Sequence, residues 1–293
     1  MKKFILPIVI VLAIFVFGGI MFGDKKSAEI SYGENLKSSS LAAVEAVVMQ
    51  EDLDAIDLNL SAKSVLVGDL NSDKIFLNLK GDERWPCASL TKLMTALIAS
   101  EQIGVSEKIP VVDDHNSSYA FNSLVKGEVY RLGDLIKAMM SVSSNNAATA
   151  ISKFYGEKEF IDAMQKKSAE LEMFQTTFFD ESGLSFLNQS TAEDLGRLAK
   201  YIYKNQRGIL DVSRQNVVEL WDISRGRKKT LSSINEFAGR NDFLGGKTGY
   251  IETSKGNLIS IFKDGDKELF IVVLGSENRF GETLKVLNWV KKI

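Results

Sequence analysis

Residues 84–97 read RWPCASLTKLMTAL, and their reading decides the rest of the chain. Leu90, Leu93, Met94, Leu97 and Ile98 recur at helical spacing, and no glycine interrupts Ser89 to Ser100. Ser89 and Lys92 are then i,i+3 neighbours on one helix face, with Cβ atoms about 5–6 Å apart. A serine hydroxyl is a weak nucleophile and needs a base. Lysine serves as that base once burial or a nearby cation disfavours its ammonium form. The plain alternative is a capping serine followed by a surface lysine. Pro86 marks a helix start, and Lys92 sits among apolar residues, which is unusual for a surface lysine.

Composition removes several other chemistries. The chain has 293 residues, 45% hydrophobic and 25% charged, with a net charge of −2. That is globular composition without the basic excess of a general nucleic-acid binder. A lone Cys87 cannot close an intrachain disulfide, and with one histidine there is no histidine-rich zinc motif. A Ser-His-Asp triad would have to use His115, which lies in the polar stretch VVDDHNSS and reads as a solvated loop residue. Cys87 reads as a small packing residue two positions before Ser89.

The N-terminus differs from everything after it. Lys2 and Lys3 precede an apolar run from Phe4 to Phe22, and about 19 such residues suffice to span a bilayer as a helix. No convincing small-x-small cleavage site follows, so residues 1–23 read as a retained transmembrane signal-anchor. The N-terminus would then stay on the cytoplasmic side and the remainder would be exported. Residues 24–60 are polar at first and of mixed pattern later, and read as a tether. Residues 61–293 form the expected globular domain.

Within that domain, SVLVGDL (64–70) and KIFLNL (74–79) flank NSD, and NLISIF (257–262) and ELFIVVLG (268–275) flank KDGDK. Both patterns predict β-hairpins. The middle is helical: Leu132, Leu135, Ile136 and Met139 keep helical spacing, as do Phe160, Ile161, Met164 and Leu171. Ser190 and Glu193 stand at capping-box spacing before another helix. Phe280, Leu284, Leu287 and Val290 form a terminal apolar stripe that is expected to cover a sheet. The fold class is α/β in the α+β sense: an antiparallel sheet flanked by helices, with a helical subdomain inserted.

Two further stretches bear on Ser89. SVSSNNAATA places Ser143, Ser144 and Asn145 in a turn between helical stretches. A second hydroxyl near the lysine can pass a proton to a leaving amine, and an asparagine amide can bind a peptide group; an N-capping serine is the plain alternative. FLGGKTGYIET carries Lys247, Thr248 and Gly249. Glycine in a strand marks close backbone approach, an edge strand can accept an extended peptide, and Lys247 with Thr248 can bind a terminal carboxylate. The alternative there is a turn with a solvated lysine.

Ser89-x-x-Lys92, Ser143-x-Asn145 and Lys247-Thr248-Gly249, in that order, resemble the three motifs of the penicillin-recognising serine hydrolases. PCASLTKLMTAL, KGEVYRLGDLIKAMMSVSSNNAATAI and ESGLSFLNQSTAEDLGRLA are similar to D-alanyl-D-alanine carboxypeptidases of the low-molecular-weight penicillin-binding type. The likeness covers Ser61 to Ile293. It implies a β-lactamase/transpeptidase-like fold and a serine-type carboxypeptidase acting on peptidoglycan stem peptides that end in D-Ala-D-Ala. Ser89 would be acylated, Lys92 would be the base and Ser143 a proton relay. Asn145 would hold the acyl-side amide, Lys247 and Thr248 the terminal carboxylate. Gly249 would lie along the peptide, and the backbone N–H groups of Ser89 and Tyr250 would hold the oxyanion. β-Lactams would trap Ser89, and no metal or organic cofactor is required.

The chain departs from that pattern in places. Asn146 stands where many relatives carry Asp, Ile251 replaces a common threonine, and Asp180-Glu-Ser-Gly-Leu replaces Asn-Pro-x-Gly-Leu. The main alternative activity is a peptidoglycan DD-endopeptidase. A class A β-lactamase would need a Glu-x-x-x-Asn loop, which is not found between Phe178 and Gln189, and a non-catalytic β-lactam-binding module would not need both Ser89 and Lys92.

Overall fold

The computed structural model describes residues 58–112 and 124–293. The apolar run 4–22, nearly all of the tether and His115 lie outside the described residues. No helix among the described residues is long and apolar enough to cross a membrane.

In chain order the elements are β1 (Ser64–Asp69), β2 (Ile75–Leu79), β3 (Trp85–Pro86), α1 (Thr91–Gln102), β4 (Lys108–Pro110) and β5 (Val129–Arg131). Next come α2 (Leu132–Val142), α3 (Asn145–Tyr155), α4 (Glu157–Glu170), β6 (Gln189–Ser190), α5 (Ala192–Asn205) and α6 (Arg207–Ser213). The chain then forms β7 (Val217–Asp222), β8 (Arg227–Ser232), β9 (Phe243–Ile251), β10 (Lys255–Asp264), β11 (Lys267–Ser276) and α7 (Arg279–Val290).

Both expected hairpins form, and they join into one antiparallel sheet of order β2-β1-β11-β10-β9. The reason is visible in β11. Its side chains alternate between faces, so Leu269, Ile271 and Val273 enter one apolar cluster while Phe270, Val272 and Leu274 enter another. A strand buried on both sides reads as an unbroken apolar run rather than an alternation. On the first face α7 lays Phe280, Val286, Leu287 and Val290 against the sheet, as its stripe predicts. Phe237 fills the corner, edge-on to both Phe262 and Phe280.

The second face is covered by helices, with α5 against β1 and β11. Behind them α1 is buried almost all round: every residue from Thr91 to Ala99 is inaccessible, Lys92 included. Such a helix is a core element, so its polar residues must find partners inside. The region between β2 and β9 supplies the remaining helices and the small hairpins β4–β5 and β7–β8.

One boundary falls elsewhere than the sequence indicates. Thr191, not Ser190, caps α5, its hydroxyl accepting from Asp194 N at 3.1 Å. Ser190 is taken up by pairing with Trp85 and by a hydroxyl contact with Thr176 at 2.7 Å, and the Glu193 side chain accepts from Asn78 instead. Tertiary pairing of β3 with β6 moves the helix start by one residue.

Candidate active site

Ser89 lies in a single 3-10 turn, Ala88–Leu90, just ahead of α1. Ala88 takes a left-handed backbone, φ 49°, which costs energy in a residue with a Cβ. The neighbouring loop fits this turn closely: a Cβ on Gly183 (φ 81°) would fall 1.9 Å from the Ala88 carbonyl oxygen, so only glycine fits there.

Lys92, one turn on, is wholly buried. Its Nζ donates to Ser89 Oγ at 3.0 Å, to Asn145 Oδ1 at 2.8 Å and to the Ser182 carbonyl. An ammonium has three donor hydrogens, and this arrangement offers three acceptors. The i,i+3 reading of Ser89 and Lys92 therefore holds geometrically, and the surface-lysine alternative does not.

The turn between α2 and α3 resolves the choice among its serines. Ser144 is the N-cap of α3, accepting from Ala147 N. Ser143 ends α2 in a left-handed conformation, φ 57°, and its hydroxyl accepts from Lys247 Nζ at 3.0 Å. Asn145 opens α3 and points its amide oxygen at Lys92. Asn146 ties α3 down through a 2.9 Å bond from Nδ2 to the Leu124 carbonyl.

Lys247, Thr248, Gly249 and Tyr250 lie on β9, the edge strand of the sheet, rather than in a turn. Lys247 is 1% exposed and also donates to the Thr248 carbonyl at 2.7 Å. Burial, and after it the charges of Lys92 and Arg279, holds its pKa well below the usual lysine range. Gly249 lets the strand approach the Ser89 turn: a Cβ there would stand 3.1 Å from the Cys87 carbonyl oxygen and 3.2 Å from Ser89 N. Cys87 itself is buried, and burial pushes its thiol pKa up, which keeps it protonated.

These pieces surround one cleft of about 560 Å³. Ser89, Ser143 and Asn145 line one side, and Thr248, Gly249 and Tyr250 the other, with Val142, Leu184, Ile234 and Ile251 adding apolar wall. All eight residues singled out in the sequence thus meet at one place, Lys92 and Lys247 as buried groups behind Ser89 and Ser143.

Two contributors were not legible beforehand. Arg279, at the start of α7, lines the cleft and donates from Nη1 to the Gly249 carbonyl at 3.3 Å. Its buried Nε has no hydrogen-bond partner among the described residues, and burial lowers its pKa. The Glu236 charge acts on it, but no ion pair to Arg279 forms among the described residues, and a half-buried guanidinium on a cleft wall can take an anion. The sequence reading of that segment followed only its apolar stripe. The second contributor is Ser182, through its carbonyl. Asp180 shapes that loop, accepting from Ser182 N at 2.7 Å and from Ser185 N at 2.7 Å. Backbone groups leave no trace in residue type, so no pattern marks such a carbonyl.

The family model for D-alanyl-D-alanine carboxypeptidases matches residues 48–278. A D-alanyl-D-alanine endopeptidase of Haemophilus influenzae is 31% identical over 229 residues, covering 74% of this chain and 76% of that protein. The D-alanyl-D-alanine carboxypeptidase DacF of Bacillus subtilis is 27% identical, covering 84% of this chain and 66% of its own length. Penicillin-binding protein D2 of Listeria monocytogenes, solved in an ampicillin-bound form, is 28% identical with a TM-score of 0.70 over 79% of this chain and 98% of that one. With the family pattern matched over most of its length and the same fold beneath it, the chain belongs to the D-alanyl-D-alanine carboxypeptidase family of low-molecular-weight penicillin-binding proteins.

Proposed function

We propose that this protein is a serine-type D-alanyl-D-alanine carboxypeptidase that works through an acyl-enzyme on Ser89. The observation that carries the reading is Lys92 Nζ, buried and 3.0 Å from Ser89 Oγ at the floor of a cleft bounded by an edge strand. A stem peptide ending in D-Ala-D-Ala lies along β9 as an added strand, its carboxylate held by Thr248, Arg279 and the charge of Lys247. Asn145 meets the amide on the acyl side.

Ser89 Oγ attacks the carbonyl carbon between the two D-alanines while neutral Lys92 takes the hydroxyl proton. The oxyanion sits between the backbone N–H groups of Ser89 and Tyr250, fixed dipoles whose loss typically costs about 10²–10³ in rate. The C–N bond then breaks, and a proton delivered through Ser143 turns the leaving group into free D-alanine. Water attacks the Ser89 ester, Lys92 again accepting a proton, and releases the shortened peptide. A β-lactam enters the same step, but its ring-opened product stays attached to Ser89.

The test is turnover of a D-Ala-D-Ala pentapeptide together with labelling by a fluorescent penicillin. Wild type should release D-alanine and take the label, and Ser89→Ala should do neither. A variant lacking Ser89 that labels as well as wild type refutes the acyl-enzyme. Because the Haemophilus relative is named an endopeptidase, cross-linked muropeptides belong in the same assay. Cleavage of the cross-link in preference to the terminal D-alanine would make the chain a DD-endopeptidase using the same residues.

The apolar run 4–22 completes the proposal as a membrane anchor, with residues 24–60 as tether and residues 61–293 as the catalytic domain on the cell-wall side. Mass spectrometry of the mature protein tests it: a chain beginning near Gly19 or Asp24 has lost the anchor.

A further inference from the structure

The mechanism above uses the loop 180–185 only through one backbone carbonyl, and that loop also holds a buried acid. Glu181 is 8% exposed. Its side chain accepts from Thr149 Oγ1 at 2.6 Å, and its backbone carbonyl accepts from Thr95 Oγ1 at 2.6 Å. These two threonines are not placed at random. Thr95 lies one turn after Lys92 on α1, and Thr149 one turn after Asn145 on α3. The next residue in the loop, Ser182, receives Lys92 itself. One dipeptide therefore bonds to α1 at two points and to α3 at one, directly behind the contact between Lys92 and Asn145.

We propose that Glu181 is a positioning residue for the candidate base: it clamps the helix carrying Lys92 to the helix carrying Asn145, and its carboxyl sets the charge that faces Lys92. This rests on the reading of Lys92 as the base of Ser89.

The electrostatics follow from what surrounds the carboxyl. The charged groups acting on it are Lys92 from α1 and Asp180 from its own loop, while α3 presents the Thr149 hydroxyl. Burial raises the Glu181 pKa, and the Asp180 charge adds to this, against lowering by the Thr149 hydrogen bond and by Lys92. In its neutral form Glu181 leaves Lys92 free to lose its proton. In its ionised form it favours the ammonium, which cannot accept from Ser89. Glu181 does not line the cleft, so it acts on the lysine and not on a water beside the acyl-enzyme. Its placement thus differs from a deacylating glutamate, which must touch that water.

The experiment is the second-order rate of acylation by a fluorescent penicillin as a function of pH, in the full chain. Ser89→Ala must abolish labelling first; if it does not, the active-site reading fails and Glu181 is not the cause. With that established, Glu181→Gln keeps an acceptor for Thr149 but holds no charge. Its rising limb should move to lower pH by about half a unit or more. Glu181→Ala and Thr149→Val should each slow acylation about 10–100-fold, the scale of a displaced reacting group. The double variant should lose no more than the worse single one, because both remove one contact. A variant that merely destabilises the fold lowers the melting temperature without moving the pH midpoint, so melting curves accompany each profile. A wild-type rate in Glu181→Ala, or a Glu181→Gln midpoint that coincides with wild type, overturns the proposal.

Discussion

Lys247 Nζ donates to Ser143 Oγ over 3.0 Å, and this bond joins the edge strand of the sheet to a helix turn 104 residues earlier. Beside it stands a second lysine–serine pair of the same length, Lys92 to Ser89. Burial, and after it the charges of Lys92 and Arg279, holds the pKa of Lys247 down. The Lys247–Ser143 pair is therefore electrically coupled to the Lys92–Ser89 pair.

Acylation should fall on the alkaline side at a pH below the ordinary lysine value of 10.5. Lys247 loses its proton as pH rises through its lowered pKa, and its hold on a carboxylate goes with the charge. Rates of penicillin acylation from neutral to strongly alkaline pH check this. A rate that stays level up to 10.5 counts against Lys247 as the carboxylate's charge partner.

Arg279→Ala should lower the second-order rate of acylation about tenfold or more, a loss of one charge-assisted contact of about 1.5–3 kcal/mol. Stability should barely change, or rise, because the guanidinium is half-buried with an unpartnered Nε. Kinetics with a carboxylate-bearing substrate and with its amide separate the roles, since only the former should feel the substitution.

Gly183→Ala should cost about 2–4 kcal/mol and remove labelling by penicillin. The new Cβ would need the space of the Ala88 carbonyl, 1.9 Å away, at a backbone angle of φ 81°. Relief has to come from moving the turn that carries Ser89. Thermal melting and penicillin labelling report the two consequences independently.

Glu128→Gln tests a buried carboxylate that does not line the cleft. Glu128 is 0% exposed and accepts from Lys229 at 2.8 Å, Tyr130 at 2.9 Å and Val125 N at 2.9 Å, with Arg225 and Arg227 also on it. Burial alone raises its pKa, and the bonds from Lys229, Val125 N and Tyr130 outweigh that and lower it below 4.5. Its contribution is thus present above pH 4.5 and fades as pH falls through the lower native value. The substitution should cost about 2–3 kcal/mol at neutral pH, since its partly exposed cations can turn to water. In acid the difference from wild type should shrink, which denaturant titrations at neutral and acid pH will show.

The sequence by itself determined the two hairpins and the covering helix, and it singled out the candidate reacting groups. Periodicity reports which faces are apolar, and the serine–lysine pair gains meaning from the two partner motifs that follow it in order. It also ordered the three motifs that name the family. What only the tertiary structure decided was which serine caps α3 and which meets Lys247, that Lys247 is buried on an edge strand, and that Thr191 rather than Ser190 starts α5. It alone placed Arg279 on the cleft, aimed the Ser182 carbonyl at Lys92 and put Glu181 between two helices. The physical reason is common to all of these. They depend on hydrogen bonds and charges between residues far apart in the chain, and on backbone groups that every residue carries, so no local pattern of side chains records them.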